Sequence, residues 1–433
     1  MRACQSTIPG VSWPRRADRL WRRTSAYVLN VNDVGNYVLW VVMACAVLGA
    51  IAAIRDPEHG LGKEFMEGLY SIGPIFVPVA GIMASVPYLS QLVESLVGPL
   101  FGLIGASPSM AATSVIAVDM GGYQLARELS DGNVESWIMA TTAGYMAGAT
   151  IVFSIPVGLA MLRKEDHRYM ALGVMAGILA VPIGVLVSSL MLIAMGPSVR
   201  STATTSGLAD HEMALGLGTV LRNLTPLVIF VVTIALGLRL LPGLMIRGFM
   251  IFGRLVDALV KLALMLAIVD YFTEGFGARV FEWCGLDWRF APIIADDEDR
   301  FRALEVAGYI GTMLAGAFPM VYLIKKHLGP AIEGVGRKVG LEQAGAAGIL
   351  AASANILAMY RLVGEMRPRD KVLNIAYAVC AAFLLGDHLA FTANFQPSLI
   401  AAVLGGKLAG GIAGFALAWW LSVPTAERLA AKG

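Results

Sequence analysis

The chain has 433 residues, 57% of them hydrophobic and only 15% charged, with a net charge of +2 and a mean hydropathy of +0.70. This balance excludes an ordinary soluble domain and marks an all-α integral membrane protein, and the near-zero charge gives no reason to expect nucleic acid as a partner. Cys4, Cys45, Cys284 and Cys380 form no CxxC pair, so neither a disulfide framework nor a metal site is implied and no cofactor is called for.

Residues 1–35 carry Arg2, Arg15, Arg16, Arg19, Arg22 and Arg23 against only Asp18 and Asp33. By the positive-inside rule they form a basic cytoplasmic N-terminal segment. Residues 36–65 hold the first apolar run, 37–54, and the connection after it. That run is long enough to span a bilayer, and the basic region before it is too long for an ordinary signal peptide, so it reads as a retained helix. Further runs follow at 66–89, 108–127, 136–162, 169–195, 213–241, 248–273, 304–324, 343–363, 372–395 and 398–421. The expectation is about eleven transmembrane helices, at roughly 20 residues each.

The connections sort by charge. Arg163, Lys164, His167 and Arg168, and again Lys325, Lys326 and His327, read as cytoplasmic. Residues 197–212, whose only basic side chain besides a histidine is Arg200, read as external, as do 274–302 with Asp296, Asp297, Glu298 and Asp299. On this count the basic Arg367, Arg369 and Lys371 fall outside. Trp283, Trp288, Trp419 and Trp420 suit interfacial anchors, and residues 423–433 form a C-terminal tail.

Two portions of the chain, 66–195 and 304–422, look alike side by side, with 196–303 connecting them. Gly98-Pro99 matches Gly329-Pro330, the run into Asp119 matches the run into Asn355, and Gly148 to Ser154 matches Gly386 to Thr392; the offset drifts only from 231 to 238 residues. Such a pattern suggests a carrier built from two related repeats, each with broken helices around a shared site. The loop count makes the repeats parallel; a re-entrant segment in place of one span makes them inverted.

Residues 384–397 are the most polar stretch within an apolar region: Asp387 and His388, then Thr392, Asn394 and Gln396, bounded by Gly386 and Pro397. An aspartate at mid-membrane costs roughly 2.5–3.5 kcal/mol, so such residues usually line a bundle interior or a wet path. The other constellation is Asp119-Met120-Gly121-Gly122-Tyr123-Gln124. Paired glycines cost a helix about 1 kcal/mol each relative to Ala, which suggests a purposeful break. Asp119 then suits an ammonium group and Tyr123 a cation–π contact, against the plainer reading of Asp119 as a helix cap. Asn355 is a candidate neutral counterpart of Asp119. Thr150 and Ser154 are weaker candidates, since hydroxyls in membrane helices often bond back to their own carbonyls. Arg254, Asp257 and Lys261 share one helical face and are expected to neutralise one another at an interface. HExxH and GxxxxGK[ST] are both absent from the sequence. The residues flanking the two aspartates also fail to match an intramembrane aspartyl protease, with Leu384 in place of the first Gly of Gly-x-Gly-Asp and Val118 before Asp119.

At these positions the chain resembles the EutH family of ethanolamine permeases. The stretches that carry the resemblance are Pro108-Ser109-Met110 leading to Asp119-Met120-Gly121-Gly122, then residues 150–157, 168–174, Gly386-Asp387-His388-Leu389 and 406–411, in consistent order from about 65 to 422. Ala149, Ala390 and the extension 1–35 depart from the pattern. The resemblance implies a protein of the bacterial inner membrane, not an enzyme, that brings ethanolamine into the cytoplasm. Its partners would be ethanolamine and the lipid bilayer, with a homo-oligomer left open. Asp119, Tyr123, Asn355, Asp387, His388, Asn394, Thr392, Thr150 and Ser154 are the substrate-binding candidates. Two alternatives stay open: a proton- or sodium-coupled carrier of another small amine or polar solute, and a membrane-embedded enzyme acting on ethanolamine lipids.

Overall fold

The computed structural model describes residues 34–431 apart from 206, 274, 284, 286–288 and 298. The expectations placed on Cys4, Cys284, Trp288, Glu298 and the basic part of 1–35 lie outside the described residues. Helix α1 (Val34–Arg55) is followed by α2 (Gly60–Tyr70), which runs through Ser71 into α3 (Ile72–Ile104). Next comes a broken pair. Helix α4 (Ser109–Val115) ends with Ile116 extended, and a 3-10 turn at Val118–Met120 leads to α5 (Gly122–Glu128). Gly121, at φ +94°, makes that junction, a conformation that favours glycine. Helix α6 (Val134–Gly144) is separated by residues 145–149 from a π-helical turn at Thr150–Ser154 and α7 (Ile155–Met161). Helices α8 (His167–Leu179) and α9 (Val181–Met195) lead into an antiparallel hairpin of β1 (Ser198–Val199) and β2 (His211–Glu212), with Ser198 opposite Glu212.

The middle of the chain supplies α10 (Leu217–Leu240), α11 (Pro242–Phe272) and α12 (Phe276–Trp283). Then α13 (Ala303–Lys338) precedes a second broken pair, α14 (Gln343–Ala354) and α15 (Ile356–Val363), split at the extended Asn355. Helix α16 (Pro368–Ala381) is separated by residues 382–386 from α17 (Asp387–Phe395), and α18 (Ile400–Leu421) and α19 (Val423–Ala430) finish the chain. The order of long helix, broken pair, helix, break, short helix and closing helix thus occurs twice. The second breaks also lean on the first in the same way. A methyl group on Gly148 would strike the carbonyl of Ile116 at the end of α4, and one on Gly386 would strike that of Ala354 at the end of α14.

Contacts sort the connections into two ends. At one, the start of α1 touches the 3-10 turn after α17, where Gly35 lies against Pro397. Ser398 donates to the Ser198 carbonyl (2.7 Å), Ser107 N–H to Asn223 (2.8 Å), and His211 meets Glu135 at 2.9 Å. At the other end Lys371 forms a buried ion pair with Asp166, Arg163 adds to it at 3.2 Å, and the Glu342 N–H donates to Asp370 (2.9 Å).

These contacts correct the sequence reading in three places. The run 108–127 begins and ends at the hairpin end, and 343–363 begins and ends at the opposite end, so neither crosses and the count of about eleven spans falls. Among the described residues six helical stretches are long and apolar enough to cross: Val34–Arg55, Gly60–Ile104, Lys164–Met195, Leu217–Leu240, Ala303–Lys338 and Pro397–Leu421. The basic Arg367 and Lys371 do not face away from residues 163–168 but pair beside them. Finally, a cytoplasmic segment 1–35 and an external 197–212 do not hold together, because the start of α1 lies at the hairpin end. Hydropathy registers length and polarity, and it cannot see a chain turning back at a break.

Small residues hold the helices close, as packing within lipid requires. A Cβ on Gly184 of α9 would lie 2.9 Å from the Gly406 carbonyl and 3.2 Å from Gly410 Cα of α18. Helix α16 is buried from Asp370 to Ala381 between α8 and α18, and its inward end carries the break that forms the site.

Candidate functional site

The site gathers where the unwound segments meet. Residues 382–386 leave the helical path because their amides bond elsewhere: Phe383 N–H donates to the Ala352 carbonyl (3.2 Å) and Leu385 N–H to that of Ser353 (2.8 Å). Phe383 pays for this with φ +60°, a left-handed conformation that a bulky side chain rarely adopts and that persists only where the surroundings enforce it. Helix α17 then restarts with Asp387 in its first turn, where the helix dipole favours a carboxylate.

His388, 1% exposed, points at the other break: its Nε2 lies 3.7 Å from Asp119 Oδ1 of the 3-10 turn, beyond hydrogen-bonding distance. Neither ring nitrogen has a hydrogen-bond partner, although the ring is packed between Tyr145 (5.2 Å) and Phe383 (5.4 Å). A buried imidazole without partners is costly, which makes it the natural place for a ligand to bond. Asp387 and Asp119 are only partly buried, and Asp119 lies within electrostatic range of Asp387, His388 and Lys407.

Lys407 of α18 was missed by the sequence reading, where it appeared only within a motif. It is 1% exposed, and its ammonium donates to the Tyr145 carbonyl (2.6 Å) in the break after α6. The signal was available: a lone lysine within a Gly-rich apolar run marks function by default. Tyr145 was missed too. Its hydroxyl shares a 2.7 Å hydrogen bond with Thr392, whose own hydroxyl donates to the His388 carbonyl (2.6 Å), so Thr392 sits in the second rank behind the histidine.

The other candidates have structural duties. Tyr123 is wholly buried, ringed by Trp137 (4.6 Å), Phe391 (5.3 Å) and Phe395 (5.5 Å), with its hydroxyl accepting from Gln396 (2.9 Å). It offers no open face to a cation, contrary to expectation. Asn355 caps α15 by accepting from Leu357 N–H (2.8 Å). Asn394 donates to the Tyr309 and Ala390 carbonyls (2.8 and 3.0 Å). Thr150 bonds back to Met146 and across to the Val379 carbonyl (3.0 Å), and the Ser154 carbonyl receives the Tyr360 hydroxyl (2.8 Å). Asp119, in contrast, caps no helix: α5 begins at Gly122, with Gly121 at the N-cap position and no side-chain cap. Among the described residues no group of three or more His, Cys, Asp or Glu is placed to hold a metal ion.

What remains at the junction is two carboxylates, one ammonium and one unpartnered imidazole. Carboxylates thus outnumber the lysine at this junction.

A family model described as "Ethanolamine utilisation protein, EutH" matches residues 34–421. The chain is 36% identical over 420 residues to the "Probable ethanolamine permease EutH" of Escherichia coli (strain K12), covering 93% of this chain and 98% of that protein. It is 33% identical over 404 residues to the protein of the same name from Listeria monocytogenes serotype 1/2a (strain 10403S), covering 93% and 98%. The "Uncharacterized protein YxeR" of Bacillus subtilis (strain 168) is 32% identical over 397 residues, covering 91% of this chain and 96% of that protein. No solved structure matches the chain.

Proposed function

The chain belongs to the EutH family of ethanolamine utilisation proteins, and from that premise we propose that it is a permease that moves ethanolamine into the cytoplasm. Relatives from Escherichia coli and Listeria monocytogenes carry the name probable ethanolamine permease, and the chain is a multi-pass membrane transporter rather than an enzyme. The observation that carries the substrate reading is the pair Asp119 and Asp387 beside the buried His388, whose ring nitrogens have no hydrogen-bond partner, with Lys407 the one lysine within electrostatic range of Asp119. Ethanolamine is mainly a cation at neutral pH. Its ammonium supplies the missing charge between the carboxylates, and its hydroxyl, two carbons away, reaches an imidazole nitrogen.

The two halves act as inverted repeats, 66–195 and 304–422, meeting at this site near the middle of the membrane. In support, the broken pair α4–α5 enters from the hairpin end and α14–α15 from the opposite end. The latter end carries Arg163, Lys164, Arg168, Lys325, Lys326, Arg337, Lys338, Arg367, Arg369 and Lys371, and by the positive-inside rule it is cytoplasmic. The hairpin is then external, as expected, and α1 begins on the outer side. The protein sits in the bacterial inner membrane, as an uptake permease must.

Uptake of labelled ethanolamine into proteoliposomes tests the reading. Wild-type protein gives saturable uptake, and Asp387→Asn or Asp119→Asn lowers uptake at low substrate roughly tenfold or more, since a hydrogen bond to a charged group is worth about 1.5–3 kcal/mol. Folded wild-type protein with no uptake above empty vesicles overturns the substrate, and unimpaired variants overturn the site.

A further inference from the structure

The end opposite the hairpin holds a group of side chains that takes no part in the junction of breaks. Helix α18 starts at the hairpin end and has 22 residues, about 33 Å at roughly 1.5 Å per residue. That length matches a hydrocarbon layer of roughly 30 Å, so Trp419 and Trp420 in its last turn, 43% and 76% exposed, stand at the headgroup boundary. Arg369, in the first turn of α16, stacks on the Trp419 ring at 3.8 Å. Its neighbour Arg367 is engaged by Asp370 at 3.1 Å and Glu342 at 3.4 Å. Arg369 forms no ion pair among the described residues, and its Nε is buried with no hydrogen-bond partner. Stacking holds one face of the guanidinium and leaves the donors along its edge unused.

Beside it lies a cleft of about 200 Å³, lined by Arg367, Pro368 and Arg369 at the start of α16 and by Glu427 and Ala430 of α19. Helix α19 is fixed there by Val423 and Ala426, which pack with Val372, Leu373 and Ala376 of α16. Glu427 is exposed and, like Arg369, has no ionic partner among the described residues. One cleft at headgroup level thus carries a guanidinium and a carboxylate that do not pair with each other.

We propose that this cleft binds the headgroup of a zwitterionic phospholipid bearing a primary ammonium, such as phosphatidylethanolamine. The phosphate takes the guanidinium edge of Arg369, whose planar donors match two phosphate oxygens. The ammonium donates to Glu427, which a trimethylated headgroup, bulkier and without N–H, does poorly. An anionic lipid satisfies Arg369 but sets a negative charge in the same cleft as Glu427. The exposed Trp419 and Trp420 faces at the same depth suit the glycerol and the start of the acyl chains, which a dissolved ligand lacks.

The test titrates the full chain, stripped of lipid in detergent, with phosphatidylethanolamine, phosphatidylglycerol or phosphatidylcholine, and counts lipids retained per chain by native mass spectrometry. Phosphatidylethanolamine is expected to hold one site more tightly than the other two. Arg369→Gln and Glu427→Gln are each expected to weaken it about tenfold, the loss of one charge-assisted hydrogen bond. Arg428→Gln, on the same helix but outside the cleft, leaves it unchanged. Glu427 is exposed on a short terminal helix, so its variant reads the site even where Arg369→Gln fails to fold. Equal retention of the three lipids overturns the proposal, as does either cleft variant binding like wild type. Tighter phosphatidylglycerol binding in Glu427→Gln assigns the cleft to anionic lipid instead, and displacement by equimolar water-soluble phosphoethanolamine assigns it to a dissolved ligand; each overturns the proposal. The readout is lipid retention and not uptake, so it stands apart from the substrate assignment.

Discussion

Lys407 shows how much a single side chain at the junction is asked to do. It donates to the Tyr145 carbonyl in the break after α6, and it lies within electrostatic range of Asp119 and His388. Lys407→Met keeps the bulk and removes both effects. Leaving a buried carbonyl unpaired costs about 1–3 kcal/mol, so the variant is expected to unfold at lower temperature in detergent and to lose ethanolamine uptake. A variant with wild-type melting and uptake refutes the role. At this scale the sequence was informative about chemical type. Asp119, Asp387 and His388 stand out as polar residues in apolar runs, and the structure sets His388 3.7 Å from Asp119. It was silent about direction: nothing in the residues around Tyr123 says that its ring is enclosed by Trp137, Phe391 and Phe395, because those neighbours come from other elements.

The elements were legible as far as local conformation decides them. Helix breaks at Asp119-Met120-Gly121-Gly122 and at Gly386 follow from glycine and polar residues interrupting apolar runs, and the structure has them. The re-entrant course of α4–α5 and α14–α15 was not legible, since it rests on contacts such as Glu342 N–H with Asp370, made far along the chain. The hairpin is likewise held by polar contacts that hydropathy ignores. Asp210 accepts from the Ser201 hydroxyl (2.7 Å) and N–H (2.8 Å), and these bonds hold its carboxyl below the usual range. Burial alone would push Glu135 up, but bonds from His211 and the Ala214 N–H bring it below its ordinary value. Groups with depressed values stabilise the fold above their ordinary titration range, near pH 4, and cease to do so as pH falls through the lowered values. Amide exchange in residues 198–212, corrected for intrinsic rate, should thus keep its protection from neutral pH to about 4 and lose it only below. Protection that fades near pH 6 would assign the hairpin's hold to other contacts.

For the molecule as a whole, the sidedness of connections follows from the ion pair of Asp166 with Lys371, which ties residues 163–168 to 367–371. With Cys4→Ser and Cys284→Ser in place, Glu165→Cys and Glu365→Cys are expected to react with an impermeant thiol reagent from the same side of the membrane, and Leu208→Cys from the other. Labelling of 165 and 365 from opposite sides would restore the topology read from loop charge alone. The hairpin end has a property of its own. Gln396 uses its oxygen for the Arg200 N–H (2.9 Å) and its amide nitrogen for the Tyr123 hydroxyl (2.9 Å) and the Arg200 carbonyl (2.8 Å). Arg200 in turn covers the Asn394 and Phe395 carbonyls that end α17 (2.8 and 2.7 Å). Lifting the hairpin breaks the four bonds of Arg200 together, while the bond of Gln396 to Tyr123 stays among the helices. Such a fastening has no half-open position. Its state is described by how long it stays shut rather than by how wide it stands, and a ligand acting on α17 would change a lifetime before it changed a shape.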